Sequence, residues 1–213
     1  MSDYPIEQIR SRFPGLTRRV NGHQAIFFDG PGGSQSPESV GEAVKHYLLH
    51  QNSNVGMSFA TSIETDELIE QTVMACADFL GCTDHREIVF GQNMTSLTIQ
   101  LASALSRTWG PEDEVVVTRS DHDANVRPWV LAAQWSGAKL RWIDIDPADC
   151  THNIDSIEEN INENTVMVAI GAASNFSGTI NDVKGICSKA HSFGAEVFPV
   201  SYTHLRAHET GYN

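Results

Sequence analysis

Apolar and polar positions along this chain alternate between a helical and a strand period. Ala25-Ile26-Phe27-Phe28 is an apolar run closing on Asp29 and predicts a short strand. Turn residues fill Gly30 to Pro37, a helix follows through Leu49, and Asn52–Gly56 forms a second loop. Thr61-Ser62-Ile63-Glu64 has capping-box form, and Ile69, Val73, Cys76 and Leu80 then share a helical stripe. Gly81 stands where that helix should stop.

Beyond Gly81 the two periods take turns. Strands are predicted at Glu87–Phe90, Glu114–Val117, Leu140–Ile143, Val166–Ile170 and Glu196–Phe198. Helices are predicted at Met94–Ser106, Ala124–Trp135, Ile154–Asn160 and Val183–Phe193. Each strand-to-strand interval has room for one crossover helix, so the fold class is α/β, a mostly parallel three-layer α/β/α sheet. Ligands of such sheets bind at the carboxyl ends of the strands, which directs attention to Gly91–Thr95, Thr118–Ala124 and Gly171–Thr179.

Composition narrows the function. The 213 residues carry 14 Lys plus Arg against 27 Asp plus Glu, a formal charge of −13, which argues against nucleic acid or an anionic membrane as partner. With 40% hydrophobic and 19% charged residues the chain has the balance of a globular domain. No apolar run reaches the roughly 20 residues of a membrane span, and the charged start lacks a secretory h-region. The expected location is cytoplasmic. Cys76, Cys82, Cys150 and Cys187 have no metal-type spacing and read as free thiols in a reducing compartment.

Several motifs fail on inspection. Gln35 stands where a dinucleotide fingerprint beginning at Gly30 needs its third glycine, and no P-loop, nucleophile elbow or HExxH zinc motif is present. Asp121-His122-Asp123 contains metal-ligand types, but adjacent loop residues diverge, so no metal is expected there.

What survives is a set of polar residues on three strand-end loops. Asn93-Met94-Thr95-Ser96 opens a helix directly after a strand, where free N–H groups and the helix dipole favour a phosphate. The same residues also suit a plain N-cap and first turn. The His122 ring could lie on a planar ligand or be a loop bystander. Asn175 could reach a ring hydroxyl or simply serve a turn. All three loops fall on one edge of one sheet.

The pieces Phe27-Phe28-Asp29-Gly30-Pro31-Gly32-Gly33, Asn93-Met94-Thr95-Ser96-Leu97, Asp121–Trp129 and Ser174–Ile180 together resemble the class V aminotransferase family, in its cysteine desulfurase-like branch. The resemblance runs in order from about residue 10 to Phe198. It implies the partial large domain of a fold-type-I enzyme dependent on pyridoxal 5′-phosphate. It further implies that Thr95, with the amides of Asn93, Met94 and Ser96, holds the phosphate, that His122 stacks on the pyridine ring, and that Asn175 contacts the phenolic oxygen. Desulfurases more often carry Thr-Thr in place of Met94-Thr95 and Glu-His-His in place of Asp121-His122-Asp123. By the same resemblance the intact enzyme takes a small amino-acid substrate and is a homodimer. Its reaction would be sulfur removal from L-cysteine, giving alanine and an enzyme persulfide. A related aminotransferase, lyase or epimerase is the alternative, and a catalytically inactive module binding a phosphate ligand or a partner chain is another.

The resemblance also predicts an Asp for the pyridinium nitrogen and a Ser-x-His-Lys segment, whose lysine forms the Schiff base. Lys45, Lys139, Lys184 and Lys189 are the lysines present, and none lies in such a segment, so no catalytic residue is assigned. The run Val200-Ser201-Tyr202-Thr203-His204-Leu205-Arg206-Ala207-His208-Glu209-Thr210 instead matches an in-frame translation of a transposase sequencing adapter. The expected organisation is an N-terminal segment with site loops over 1–60, an incomplete cofactor-binding domain over 61–198, and a non-native tail over 199–213.

Overall fold

The computed structural model of the chain describes residues 4–28 and 33–201. Asp29, Gly30, Pro31 and Gly32 of the first glycine-rich turn, and the adapter-like tail from Tyr202 onward, lie outside the described residues. The chain forms two compact units, residues 1–90 and 91–213.

The first unit is mainly helical. A short helix α1 (Ile6–Arg10) precedes a small hairpin, β1 (Arg19–Val20) and β2 (His23–Gln24), turned by Asn21 and Gly22 at φ 51° and 80°. Asn-Gly tolerates that left-handed pair, which matches the twist of the flanking strands. Helices α2 (Glu38–His50) and α3 (Ala60–Leu80) follow, and α3 stops at Gly81 with φ 70°, as its sequence predicts. The Tyr47 hydroxyl lies 3.3 Å from Thr65 Oγ1, tying the two helices together.

Three expectations for this unit need correction. The capping box does not form. Phe59 is the N-cap residue of α3, and Ser62 Oγ instead accepts the Met57 amide at 2.9 Å, holding the preceding loop. Residues 25–28 and 87–90 are not strands: the Ala25 amide still bonds the Arg18 carbonyl at 2.9 Å, but neither run gains the ladder of a neighbouring strand among the described residues. Phe28 is 94% exposed and Val89 73%. The α3 stripe exists, but Ile69 and Leu80 remain exposed and only Val73 and Cys76 are half-buried.

The second unit is the predicted parallel sheet. Helix α4 (Met94–Leu105), β3 (Glu114–Thr118), α5 (Arg127–Ser136), β4 (Lys139–Ile143), α6 (Ile154–Asn160), β5 (Thr165–Gly171), α7 (Val183–Ser192) and β6 (Glu196–Val200) follow in order. The sheet order is β4-β3-β5-β6, with every pair parallel. The helix predicted from Ala124 is divided. A 3₁₀ turn covers Asp123–Asn125, and α5 begins at Arg127 because Pro128, without an amide hydrogen, belongs in a first helical turn.

Alternation along the strands builds two cores. Val115, Val117, Met167 and Ala169 pack with Ala102 of α4 and with Trp129, Ala132 and Ala133 of α5. Val116, Val168, Ile170 and Ile143 face the other way, onto Ile161, Ile186 and Ala190. Trp129 is fully buried, and Phe198 meets it edge-on with centroids 5.1 Å apart. The amino edge of the sheet is closed by an ion pair. Buried Glu114 accepts from Arg141 at 2.7 and 3.0 Å and from Asn162 at 2.9 Å. Arg141 holds the Glu114 carboxyl below its usual range.

The strand order fixes where a ligand belongs. From β3 the chain moves to one side, to β4, then returns past β3 to β5 and β6. The crossovers accordingly change face: α5 covers one core, whereas α6 and α7 border the other. Between the carboxyl ends of β3 and β5 the connections diverge, which opens a crevice in sheets of this kind.

Candidate active site

Two of the loops singled out from sequence follow β3 and β5 at that edge, and the third opens α4, which packs against the turn after β3. Asn93 is the N-cap of α4, its Oδ1 accepting the Ser96 amide at 2.9 Å and its carbonyl the Leu97 amide at 3.1 Å. Thr95 is exposed, and neither its amide nor its hydroxyl is committed to those cap bonds. Met94 is half-buried at the first helical position. The same residues therefore form an ordinary cap and leave one first-turn donor pair open to solvent, at the positive end of a 12-residue helix.

His122 follows β3. It is exposed, and its Nδ1 accepts the Ala124 amide at 3.1 Å, so the ring caps the 3₁₀ turn. An accepting Nδ1 leaves the ring proton on Nε2. Helix α4 packs against this turn.

Asp121, its neighbour, behaves differently. Its carboxylate turns inward, accepting from the Thr118 hydroxyl at 3.1 Å and Asn125 Nδ2 at 3.3 Å, with the Gly171 backbone N–H as a further donor. Burial outweighs those bonds and pushes its carboxyl up to about 6. Asn125, fully buried, accepts the Trp129 indole N–H at 3.1 Å, so the turn is fastened to the core. Glycine at 171 leaves room for this carboxylate, since an added Cβ would collide with Asp121 Oδ1 and displace it. Asp121 and His122 thus point to different surroundings, and among the described residues no three His, Cys, Asp or Glu side chains gather as metal ligands.

Asn175 sits in the turn after β5, which is closed by Ser174 N–H to the Thr179 carbonyl at 2.9 Å and by Gly178 at φ 75°. Asn175 is exposed and makes no hydrogen bond among the described residues, and neighbouring Phe176 is 98% exposed. Asn93, His122 and Asn175 thus stand on three separate segments, of which the first opens the helix that packs on the His122 turn.

Sequence reasoning missed a buried polar group behind these loops. His152 Nε2 lies 2.9 Å from Ser120 Oγ, and Asn181 Nδ2 donates to the Gly171 carbonyl at 2.8 Å. Burial lowers the His152 pKa. His152 Nδ1 and Asn181 Oδ1 are buried with no partner. No spacing rule pairs residues 32 positions apart, so only the fold could reveal the first contact.

A family model described as aminotransferase class-V matches residues 26–199. The chain belongs to that family. It is a pyridoxal-phosphate fold-type-I chain of the cysteine desulfurase-like kind, with a parallel sheet between helical layers. A cysteine desulfurase of Enterobacter sp. (strain 638) is 32% identical over 200 residues, 91% of this chain and 48% of that protein. A probable cysteine desulfurase of Halalkalibacterium halodurans is 35% identical over 191 residues, 88% of this chain and 47% of that one. Among solved structures, the apo cysteine desulfurase of Thermococcus onnurineus NA1 superposes with a TM-score of 0.81 at 28% identity, covering 93% of this chain and 48% of that one. The cysteine desulfurase CsdA of Escherichia coli, in an S-sulfonic acid form, gives 0.78 at 26%, covering 92% and 48%. The chain spans about half the length of the curated relatives it matches.

The donor set fits the family's cofactor as far as it extends. A first-turn amide and hydroxyl suit a phosphate, an exposed imidazole pinned through Nδ1 offers a face for a planar ring, and an exposed carboxamide offers a donor to a ring oxygen.

Proposed function

We propose that the intact protein is a pyridoxal-phosphate enzyme acting on L-cysteine as a desulfurase. The observation that carries this reading is 32–35% identity to cysteine desulfurases along about nine-tenths of the chain, supported by two polar loops that follow β3 and β5. Thr95 and the amides of Asn93–Ser96 would hold the phosphate, His122 the ring face and Asn175 the phenolic oxygen. The chemistry supplied by pyridoxal phosphate when bound is that of an electron sink for an amino-acid substrate. In the reaction an enzyme cysteine thiolate would attack the substrate sulfur, the carbon–sulfur bond would break with its electron pair kept on the substrate carbon, and protonation of that carbon would give alanine while the sulfur stays as an enzyme persulfide.

The 213-residue chain itself is proposed to be inactive, since its four lysines lie outside any Ser-x-His-Lys segment. Residues 61–198 would be the incomplete cofactor-binding domain, and 1–60 the segment that adds site loops. The tail over 199–213 is proposed to be translated adapter, a reading supported by the family match ending at residue 199. The working form would be a cytoplasmic homodimer. No helix among the described residues is long and apolar enough to cross a membrane.

Sequencing the source DNA onward from the Phe198 codon and expressing the recovered frame tests the proposal. Incubated with L-cysteine, that protein should release alanine one-for-one with sulfur recoverable by a thiol. Transfer of the amino group to an oxo acid without alanine would favour the aminotransferase alternative. A frame that ends as printed would favour the inactive ligand-binding module.

A further inference from the structure

Behind His122 runs a chain of hydrogen bonds whose direction can be deduced. Thr118 donates its hydroxyl proton to the Asp121 carboxylate at 3.1 Å. Its oxygen, 3.3 Å from Ser120 Oγ, must therefore accept from Ser120. With that proton committed, Ser120 accepts from His152 Nε2 at 2.9 Å. The order is His152 N–H to Ser120, Ser120 to Thr118, Thr118 to Asp121. It places the imidazole proton on Nε2 and leaves Nδ1 as a lone-pair acceptor, the atom that is buried without a partner.

His152 is itself 93% buried, with a relative exposure of 7%. A leucine there would bury no unpaired acceptor, so packing alone does not account for a histidine. Its backbone belongs to a small excursion after β4. Ile145 and His152 form an antiparallel bridge, and Cys150 turns the chain at φ 61°. The same excursion meets the Asn175 turn, because Thr179 Oγ1 donates to the Asp149 carbonyl at 3.4 Å. One element outside all three candidate cofactor loops thus touches the two that follow β3 and β5.

We infer that His152 is a positioning residue of the candidate cofactor site, fixing the His122 turn through Ser120, Thr118 and Asp121. The role rests on the cofactor reading above but is decided by the chain's own geometry. Asp121 is the sole group in the relay that carries charge, and His122 is the neighbouring titratable group that acts on it. Cutting the relay at His152 frees Ser120 to rotate, loosens the donor on Asp121 Oδ2, and lets the 122–126 turn open.

The test is amide hydrogen exchange with carbon-detected titration of the Asp121 carboxyl, on the 213-residue chain and its His152→Leu, His152→Gln and Ser120→Ala variants. The Asn125 and Val126 amides, bonded to the His122 and Asp123 carbonyls, should exchange about fivefold or more faster in His152→Leu and Ser120→Ala. His152→Gln, which keeps an N–H donor, should stay within about twofold of the parent. The Asp121 carboxyl should titrate higher in the two cut variants, because a donor to its charged form has been loosened. Core amides of Val116 and Val168 should be unchanged in every variant that folds. Wild-type exchange and titration in both cut variants overturns the inference, and so does a glutamine variant as impaired as leucine. Pyridoxal-phosphate affinity, read by fluorescence on the same proteins, separates the two claims. If the parent chain does not bind it, the cofactor reading fails, while the exchange data still decide the role of His152.

Discussion

Residues 91–201 close their apolar side chains on both faces of a sheet, whereas residues 4–28 and 33–90 leave most of theirs in water. In the sheet unit every residue of β3 is buried, and two sets of helices cover the alternating faces. In the helical unit Ala77 is the one buried hydrophobic residue described, while Val44, Leu48, Leu49, Leu68, Met74 and Phe79 are exposed. Both units have sound local chemistry, with left-handed stops and satisfied turns. Only the sheet adds a second layer. Local propensity shapes α2 and α3, but burial supplies most of the stability of helices in proteins.

That contrast can be broken by mutation. The largest effect should come from Trp129→Ala, which empties the shared centre of α5, β3 and β6 and should cost about 3–5 kcal/mol in chemical denaturation. Leu48→Ala on the exposed face of α2 should change stability by less than about 0.5 kcal/mol. Equal losses at the two sites would remove the distinction. Arg141→Met should cost about 2 kcal/mol at pH 7, because it leaves the buried Glu114 carboxylate with Asn162 alone. The sign follows from linkage. A depressed carboxyl contributes stability above its unfolded pKa and loses it as pH falls through the lower folded value. The gap between Arg141→Met and the parent should therefore shrink below about pH 4.

Asp121 has the opposite sign. Its carboxyl is raised to about 6, so between the unfolded value near 4 and that point the folded state holds the extra proton. Stability should fall as pH rises across this window and level off above it. Asp121→Asn should abolish the slope and gain about 1 kcal/mol at pH 7, measured by thermal unfolding across the pH range. A slope that survives the substitution would show that another group titrates there. A small effect is expected at Cys150, a non-glycine residue held at φ 61°. Cys150→Gly should stabilise the sheet unit by about 0.5–1 kcal/mol, provided the strain outweighs the chain entropy that glycine adds.

These particulars also show what the sequence makes legible. The strands of the second unit alternate between two apolar faces, and helices α4, α6 and α7 begin at Asn or Asp residues whose side chains accept a first-turn amide. Those signals are local, and the elements match their expected bounds to within a residue or two. Ala25–Phe28 and Glu87–Phe90 carry the same apolar signal, yet a strand exists only with a neighbour, which composition cannot reveal. The Asn21-Gly22 hairpin is encoded locally, by a dipeptide that favours the left-handed pair. At the site, His122 and Asn175 could be read from their places after strands, and Asn93 from its place before a helix. The inward carboxylate of Asp121 and the Ser120–His152 contact depend on the sheet order and on a left-handed Cys150, and no motif encodes them.

The central claim is that the carboxyl edge of this sheet is built for a phosphate-bearing planar cofactor. Amide hydrogen exchange of the chain with and without added pyridoxal 5′-phosphate tests it most directly. The account predicts new protection confined to residues 93–96, 122–126 and 174–179, weakened by Thr95→Ala. Protection absent from all three segments, or spread evenly over the chain, would contradict it.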